Sequence, residues 1–201
     1  MNTKHWNIFI VLFLILLVSC KKNNPKVVSN NTDTTTTACT NSFTFLTNGD
    51  SLTYNIVLFG TPSTSIVSYK STSNAGTFVQ KISDPTDPIF DNQVVYMRGC
   101  NGWLTTSSTT TVNDTSYFMK EIRSVGNSWK NYDSTGPYIY DYTVAQINIS
   151  TTVPAGTFTC DKILYNEEGT INTDTIWWNN KYGTIKYAGV LLSQELISKN
   201  Y

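Results

Sequence analysis

Residues 138–166 read YIYDYTVAQINISTTVPAGTFTCDKILYN, and this stretch decides the fold class. Two extended runs, near 138–151 and 157–166, flank the sequence Val153-Pro154-Ala155-Gly156. Pro154 fixes its own φ and Gly156 tolerates a positive φ, so the chain can reverse here and Phe158 can then enter a core. The stretch therefore predicts a β-hairpin whose long strands are rich in Tyr, Ile, Val and Thr.

Similar extended runs, separated by Gly, Pro, Asn and Asp, occur on both sides of this hairpin. They predict an all-β fold, an antiparallel meander that forms a curved sheet, an open barrel or a sandwich. A short helix is an alternative between Thr115 and Val125, because Phe118, Ile122 and Val125 follow helical spacing. The other strands are predicted near 42–46, 51–59, 64–70, 76–83, 92–98, 102–107, 116–124, 170–179, 183–188 and 190–197.

The N-terminus has the features of a secretory signal peptide. Lys4 precedes an apolar run of eleven residues, Ile8–Val18, which is short of the ~20 residues that a transmembrane helix needs. The run ends in Leu17-Val18-Ser19-Cys20, which resembles a lipobox. The resemblance implies cleavage before Cys20 and acylation of that cysteine, which would anchor the protein stably in a membrane. An ordinary signal peptide cut nearby and an uncleaved anchor are the alternatives.

Three regions are predicted: a signal peptide over 1–19, the lipidated Cys20 with a disordered tether over 20–38, and a single β domain over 39–201. The tether is dominated by Asn and Thr and cannot bury enough apolar surface to fold. Lys21 stands where enteric lipoproteins retained in the inner membrane have aspartate. The absence of aspartate at this position predicts an outer-membrane lipoprotein that faces the periplasm. Asp33-Thr34-Thr35 resembles an O-glycosylation acceptor, with Thr34 as the modified residue.

Composition limits the partners and the redox chemistry. Without residues 1–19 the chain has 13 basic and 14 acidic residues and no basic cluster, so no nucleic-acid partner is expected. We also expect no cofactor. Cys39, Cys100 and Cys160 remain beside the lipidated cysteine. A disulfide between Cys39 and Cys100 is one interpretation and three free thiols are the other, with Cys160 as a small buried residue in a strand.

The mature chain has no histidine, because His5 lies in the signal peptide. This excludes Ser-His-Asp and Cys-His catalysis and histidine-ligated metals, so the protein is predicted not to be an enzyme. A hydrolase without histidine would need two carboxylates in one cleft. The loop from Asp84 to Asp91 could place three carboxylates around Ca²⁺, but its prolines explain it as a rigid turn. No metal site is predicted. The candidate carboxylates for a hydrolase are Asp133, Asp141, Glu167 and Glu168.

Aromatic residues supply the weak leads to a binding surface. Trp177 and Trp178 are neighbours, so in a strand one side chain points inward and the other outward. Tyr138, Tyr140 and Tyr142 share one strand face, whereas the apolar residues further along this strand have the opposite parity. Either a β-bulge re-aims the strand or both of its faces are covered. The ligand-binding candidates are Trp177, Trp178, Trp103 and Tyr140.

A family resemblance lies in the C-terminal third. The turn from Val153 to Phe158, the pair Trp177-Trp178 and the strand Gly183-Thr184-Ile185-Lys186 resemble a group of exported bacterial domains with a V-P-A-G-x-F turn and a closing G-x-[IV]-K strand. The segment from Phe43 to Tyr54 is similar to the opening of these domains. Some of them are distantly similar to lipoprotein-carrier domains, which implies a curved antiparallel sheet around an apolar cavity.

Taken together, these features predict a cell-envelope lipoprotein whose β domain binds or scaffolds a partner without catalysis. One alternative is a carrier of an apolar ligand, such as a lipid or a lipidated partner, in a cavity under a curved sheet. The other is a carbohydrate-binding module, which requires exposed aromatic rings flanked by polar side chains.

Overall fold

The computed structural model describes residues 43–73, 76–84, 91, 93–100, 102–107, 116–132 and 139–200. The predictions for the signal peptide, Cys20, the tether, Thr34 and Cys39 lie outside these residues and stay predictions. The described part of the chain contains twelve strands and no helix. The strands are β1 (Ser51–Leu58), β2 (Thr61–Ser71), β3 (Thr77–Ser83), β4 (Gln93–Cys100), β5 (Trp103–Ser107), β6 (Ser116–Lys120), β7 (Ser128–Tyr132), β8 (Ile139–Val153), β9 (Gly156–Glu167), β10 (Asp174–Asn179), β11 (Gly183–Ala188) and β12 (Leu192–Asn200).

All twelve strands form one antiparallel sheet that is nearly closed into a barrel. The order is β6-β5-β4-β3-β2-β1-β12-β11-β10-β9-β8-β7, so every neighbouring pair except β1 and β12 is consecutive in sequence. The first and last strands pair with each other from Ser51↔Asn200 to Leu58↔Leu192. The sheet edges are therefore β6 and β7, which follow one another in the chain. This confirms the predicted all-β antiparallel meander in its open-barrel form.

The barrel has two ends with different connections. Residues 43–50 lead into β1 at one end, where β12 also finishes; we call it the proximal end. The links β1–β2, β3–β4, β5–β6, β7–β8, β9–β10 and β11–β12 lie at the other end, the distal end. This alternation follows from antiparallel pairing of consecutive strands.

Period-two alternation selects the side chains that face the interior. In β1, Leu52, Tyr54 and Ile56 are buried, while the residues between them are more exposed. Their cross-strand neighbours in β2 and β12 include the buried residues Val67 and Leu196. Alternate residues of a strand point to opposite faces, so one apolar set fills the barrel and the other faces solvent.

The predicted strand near 42–46 is wrong, because Phe43–Leu46 form a turn. The Leu46 amide donates to the Phe43 carbonyl over 3.1 Å, and the Thr47 hydroxyl donates to the Thr44 carbonyl over 2.8 Å. Phe43 and Phe45 are buried and meet Trp178 edge to face, with ring centroids 6.3 and 5.4 Å apart. The turn therefore fills the proximal part of the barrel with aromatic rings, which alternation within the segment could not show.

The alternative helix between Thr115 and Val125 is also wrong. The described residues of this segment begin with β6, and Ile122 and Val125 are exposed, whereas a helix would have buried them with Phe118. Met119 pairs with Leu104 instead, and both side chains are fully buried. The short strand β7, which was not predicted, follows directly.

The change of parity in the long strand β8 comes from β-bulges, as one interpretation of the sequence required. The pairing with β9 is irregular between Val144 and Gln146 and again between Gln146 and Ile149. Asn148 lies in the bulged stretch with a φ of 55°. The inward side therefore changes along the strand, from Tyr142 and Val144 to Thr151 and Val153.

Side chains join the barrel where β6 and β7 have no ladder between them. Arg123, in the β6–β7 connection, donates from Nε to Asp161 Oδ2 and from Nη2 to Asn180 Oδ1, each over 2.8 Å. Asn180 Nδ2 donates in turn to the Glu121 carbonyl over 3.1 Å. Trp103 and Trp129 also meet edge to face across this gap, 6.0 Å apart. We call Arg123, Asp161 and Asn180 the Arg123 clasp.

Candidate ligand-binding cleft

A cleft of about 300 Å³ opens at the distal end of the barrel. This volume is at the lower limit of typical ligand sites, about 300–1,000 Å³. The inner faces of β8 to β12 and two distal connections form its walls. The lining residues are Tyr140, Tyr165, Asn166, Glu167, Thr170, Asn172, Asp174, Tyr187, Val190, Leu191 and Leu192.

Four tyrosines of β8, β9 and β11 form a cluster in and below the cleft: Tyr140, Tyr142, Tyr165 and Tyr187. Tyr140 and Tyr165 stack with centroids 5.2 Å apart, and Tyr142 lies 5.0 Å from Tyr165. Strand pairing places Tyr165 between two of its neighbours. Tyr142 of β8 is its partner on one side, and Asp174 of β10 is its partner on the other. This tyrosine cluster gives the cleft aromatic walls with polar tips.

Asp174 is held at the cleft wall by contacts from β11 and from the turn that follows it. The Tyr187 hydroxyl donates a hydrogen bond to Asp174 Oδ2. Gly189 approaches so closely that a Cβ on it would lie 2.7 Å from Asp174 Oδ1. A glycine is therefore required at position 189 for this carboxylate to keep its place.

Two of the tyrosines that line the cleft, Tyr165 and Tyr187, keep their protons. Burial, the largest cause, raises the pKa of Tyr165, and the charge of Asp174 acts in the same direction. Burial also raises the pKa of Tyr187, supported by its hydrogen bond to Asp174. A buried phenol resists ionisation because the charged form loses its solvation. At neutral pH the cleft therefore presents neutral rings and hydroxyl groups beside carboxylates.

The mouth of the cleft has an apolar rim. Val190 and Leu191 are 65% and 57% exposed, Ile171, between two lining residues, is 100% exposed, and Phe59 is 70% exposed. The Phe59 amide donates to the Leu191 carbonyl over 2.9 Å, which joins two of the distal turns. We call Phe59, Ile171, Val190 and Leu191 the apolar rim. Four exposed apolar side chains at one end of a barrel indicate an interaction surface.

Phe59 is also unusual in its backbone. It has a φ of 48° and precedes Gly60, whose φ is 80°, in the two-residue turn between β1 and β2. Such turns favour Asn and Gly, because a side chain at positive φ is strained. A large exposed apolar residue gains no burial there to offset the strain. Strain kept at an exposed apolar side chain points to function rather than to stability.

By sequence, the six connections that follow the odd-numbered strands, residues 59–60, 84–92, 108–115, 133–138, 168–173 and 189–191, contain no lysine or arginine. The acids in them are Asp84, Asp87, Asp91, Asp114, Asp133 and Glu168.

Three of these acids already have partners inside the protein, and one of them, Glu168, accepts a hydrogen bond from the Lys130 ammonium over 3.0 Å. Asp84 is buried and accepts hydrogen bonds from the hydroxyls of Ser63 and Ser65, over 2.8 and 2.7 Å. Asp91 Oδ1 accepts a hydrogen bond from the Asp84 amide over 3.2 Å. The described carboxylates of the candidate Ca²⁺ loop thus hold the end of β3 and the start of β2. No cluster of potential metal ligands occurs among the residues that the structure describes.

The structure separates the four ligand-binding candidates. Tyr140 lies in the cleft. Trp178 is 2% exposed, donates from Nε1 to Asn180 Oδ1 over 3.0 Å and belongs to the core. Trp177 points outward, as one of the two had to, and the ammonium groups of Lys162 and Lys186 lie 5.8 and 5.7 Å from its ring.

Trp103, the first residue of β5, does not line the cleft that Tyr140 lines. Its ring contacts Trp129 and Tyr117, and the Lys120 ammonium lies 5.7 Å from it. The rings of Trp103 and Trp177 thus already have lysine ammonium groups of the chain close to them. These contacts weigh against a sugar-stacking platform at either position.

Among the cysteines, the structure tests only the prediction for Cys160. It is buried in β9 with a free thiol, as expected, and burial raises its pKa. Cys100 is the last residue of β4, and its pairing with Cys39 stays a prediction.

Comparison with known proteins shows the fold alone. No family model matches the chain, and no curated protein matches it. A Bacteroides fragilis protein described as exported, with a YmcC-like fold, is similar over 79% of this chain and 99% of its own, with a TM-score of 0.54 and 12% identity. The predicted resemblance to exported β domains is therefore supported at the level of architecture.

Two further structures have weaker similarity. MucB, and MucB in complex with MucA from Pseudomonas aeruginosa, each match with a TM-score of 0.41 and 10% identity. The matches cover 79% of this chain and 55% and 53% of those chains. At these scores neither carries information about a partner of this protein. Within the described residues, no helix has the length and apolarity to cross a bilayer.

Proposed function

We propose that this protein is a non-catalytic lipoprotein of the cell envelope that binds the apolar part of a ligand at the distal end of its barrel. The observation that supports this proposal is the apolar rim around an aromatic cleft. The rim residues contribute nothing to the core, and Phe59 occupies a strained position in a turn. Exposed apolar groups beside a concave site are typical of ligand-binding surfaces.

This proposal changes the carrier alternative in one respect. A ligand enclosed under the sheet would need the interior, but the proximal interior is filled by the rings of Phe43, Phe45, Trp178 and Phe118. A cleft of about 300 Å³ accommodates a head group or a short piece of chain, and the remainder of the ligand would lie on the rim.

The anchor belongs to the same proposal. Acylation of Cys20 would attach the chain to the outer membrane on its periplasmic side. The described chain begins with Phe43, at the proximal end. About 22 residues separate Cys20 from Phe43, and a flexible segment of this length spans roughly 26 Å. The distal end would then be free to meet a ligand away from the anchoring membrane.

Binding of the neutral fluorescent probe N-phenyl-1-naphthylamine tests the site. The mature chain, residues 20–201 with Cys20→Ala, is titrated alone and with Leu191→Glu, which places a charge on the rim. We expect at least about tenfold weaker binding for the variant, as a lost apolar contact and a buried charge together predict. Ile122→Glu is the matched control, because Ile122 is 77% exposed at the proximal end. Equal loss in both variants, or no binding by the parent chain, contradicts the proposed site.

The lipid anchor requires its own test. Cells that express the full chain are labelled with a palmitate analogue, beside cells that express Cys20→Ala. We expect label on the first protein only, together with its recovery in the outer-membrane fraction. Label on both proteins or on neither contradicts acylation at Cys20.

A hydrolase without histidine is a second candidate function. Glu167, one of the predicted carboxylates, lines the cleft together with Asp174, which was not predicted. Two carboxylates in one cleft are the minimum for glycoside hydrolysis. Asp141 and Glu168 instead contact Lys130, at 3.4 and 3.0 Å. Release of nitrophenol from aryl glycosides by the parent chain, abolished by Glu167→Gln, would favour the hydrolase over the binding protein.

A further inference from the structure

We infer that the cleft is selective for a cationic amphiphile, whose ammonium group lies among the tyrosines while its single apolar chain lies on the rim. This inference rests on the proposed function and specifies the class of ligand. The steps that support it are the charge of the cleft, its aromatic walls, one buried acceptor and the pairing of the strands around it.

The charge of the cleft favours a cation. Its lining contains the carboxylates of Glu167 and Asp174, and no lysine or arginine is among the lining residues. A fatty acid, a phospholipid phosphate or another anionic head group would meet repulsion here without a compensating partner.

The aromatic walls suit an ammonium group. Tyr140, Tyr165 and Tyr187 line one cleft, and the faces of aromatic rings attract cations within about 6 Å of the ring centroid. The same chain shows the contact at its proximal end, where the Lys199 ammonium lies 4.2 Å from the centroid of Tyr182 and 5.1 Å from that of Phe158. Rings that cannot ionise near neutral pH keep this attraction constant.

A buried acceptor lies opposite one of the tyrosines that line the cleft. Asn131, directly opposite Tyr140 in the pairing of β7 with β8, is 8% exposed. Its Oδ1 atom has no hydrogen-bond partner among the described residues, and neither has Nε1 of Trp129 two residues earlier. An unpaired buried acceptor is costly. A primary ammonium that enters past Tyr140 could donate to Asn131 Oδ1 and remove this cost.

Strand pairing favours a small amphiphile over a peptide. An extended peptide usually binds by adding a strand to a free sheet edge. The strands that line the cleft, β8 to β12, are each paired on both sides, and the sheet edges are β6 and β7. A peptide would therefore find no free strand edge among the strands that line the cleft.

Three probes with the same dodecyl chain test the inference on the mature chain with Cys20→Ala. They are dodecylammonium, dodecyl sulfate and dodecyl maltoside, each titrated below its micellar concentration. We expect the cation to bind about tenfold more tightly than the neutral probe, and the anion to bind most weakly. Tighter or equal binding of the sulfate overturns the inference but leaves the proposed function intact. Failure of all three probes to bind overturns both.

Charge variants identify the groups responsible. Glu167→Gln should weaken binding of the ammonium probe about fivefold, and Glu167→Gln with Asp174→Asn about tenfold or more, without effect on the maltoside. If loss of the Asp174–Tyr187 contact impairs folding of the double variant, Glu167→Gln alone still tests the inference. Glu168→Gln is the matched control, because Glu168 is the next residue and contacts Lys130. Unchanged ammonium binding in both cleft variants, or binding only of a lysine-containing apolar peptide, overturns the inference.

Discussion

Replacement of Asp161 by asparagine tests how the barrel is held together where its ladder is interrupted. Arg123 is 3% exposed and Asp161 17%, so this ion pair is shielded from solvent. Burial lowers the pKa of the Arg123 guanidinium, while the hydrogen bond and the charge of Asp161 act in the opposite direction. Asp161→Asn keeps the shape of the side chain but removes the negative charge next to the guanidinium.

The expected loss follows from what the substitution leaves behind. Removal of one partner from a buried ion pair costs about 3–5 kcal/mol, because the other charge stays buried without compensation. Here Nη2 of Arg123 keeps its contact with Asn180, and Asn148 loses the carboxylate that accepts its amide over 3.0 Å. We therefore expect the free energy of unfolding to fall by about 3 kcal/mol, the lower part of that range. In a domain of this size the melting temperature would fall by roughly 6–12 °C.

Urea unfolding, followed by tryptophan fluorescence, measures the change, and two further variants complete the test. Arg123→Met with Asp161→Asn leaves no unpaired charge and should be more stable than Asp161→Asn alone. Lys130→Met is the matched control for an exposed pair, since Lys130 is 44% exposed, and any small effect should vanish in high salt. If Asp161→Asn unfolds at the same urea concentration as the parent chain, the clasp does not hold the β6–β7 gap and our reasoning is wrong.

Three other changes have expected outcomes. Phe43→Ala should lower the free energy of unfolding in urea by about 3–5 kcal/mol, because it removes a buried ring from the proximal core; a loss below 1 kcal/mol would contradict its role. Burial raises the pKa of Tyr69 and Tyr142 above 10.0, and because unfolded tyrosines lose their protons first, these two together should lower stability by about 2.7 kcal/mol per pH unit above pH 10, with Tyr165 and Tyr187 adding to the fall; a flat stability profile to pH 11 would refute this. Gly189→Ala should cost about 1–3 kcal/mol and weaken probe binding, and Asp174→Ala in the same chain should restore stability by removing the clash.

Local chemistry made much of the fold predictable. The hairpin at Val153–Phe158 was predicted from Pro154 and Gly156, and the structure confirms the turn, with Gly156 at a φ of 127° and Phe158 buried. Extended runs bounded by turn residues similarly predicted the strands near 51–59 and 183–188, which correspond to β1 and β11. Such signals need only the residues of one or two neighbouring strands.

The errors fall where distant residues decide. Phe43–Leu46 alternates like a strand but closes the proximal end, because Trp178 and Gly183 offer space for aromatic rings there. The strand β7 has a buried asparagine at its centre, so Ser128–Tyr132 shows too few apolar residues to be recognised.

The cleft was found only in part. Tyr140 was singled out, but Asp174, Tyr187 and Gly189 come together through register across β9, β10 and β11, which the sequence does not encode locally. One usable signal was missed. The connections at Phe59 and Leu191 place large apolar residues where turns normally have polar ones. Apolar residues in turns of an otherwise regular meander would have indicated the rim.

The even number of strands determines where the described chain enters the barrel relative to the cleft. In a meander of antiparallel strands, an even count brings the start of the first strand and the finish of the last to the same end of the barrel, and here Ser51 pairs with Asn200. The connections after odd-numbered strands must then all lie at the opposite end, where the rim and the cleft are found. Residues 43–50, which lead into β1, therefore lie at the end remote from the binding surface. With one strand fewer, the two chain ends would emerge at opposite ends of the barrel, so the even count is what keeps both of them away from the cleft.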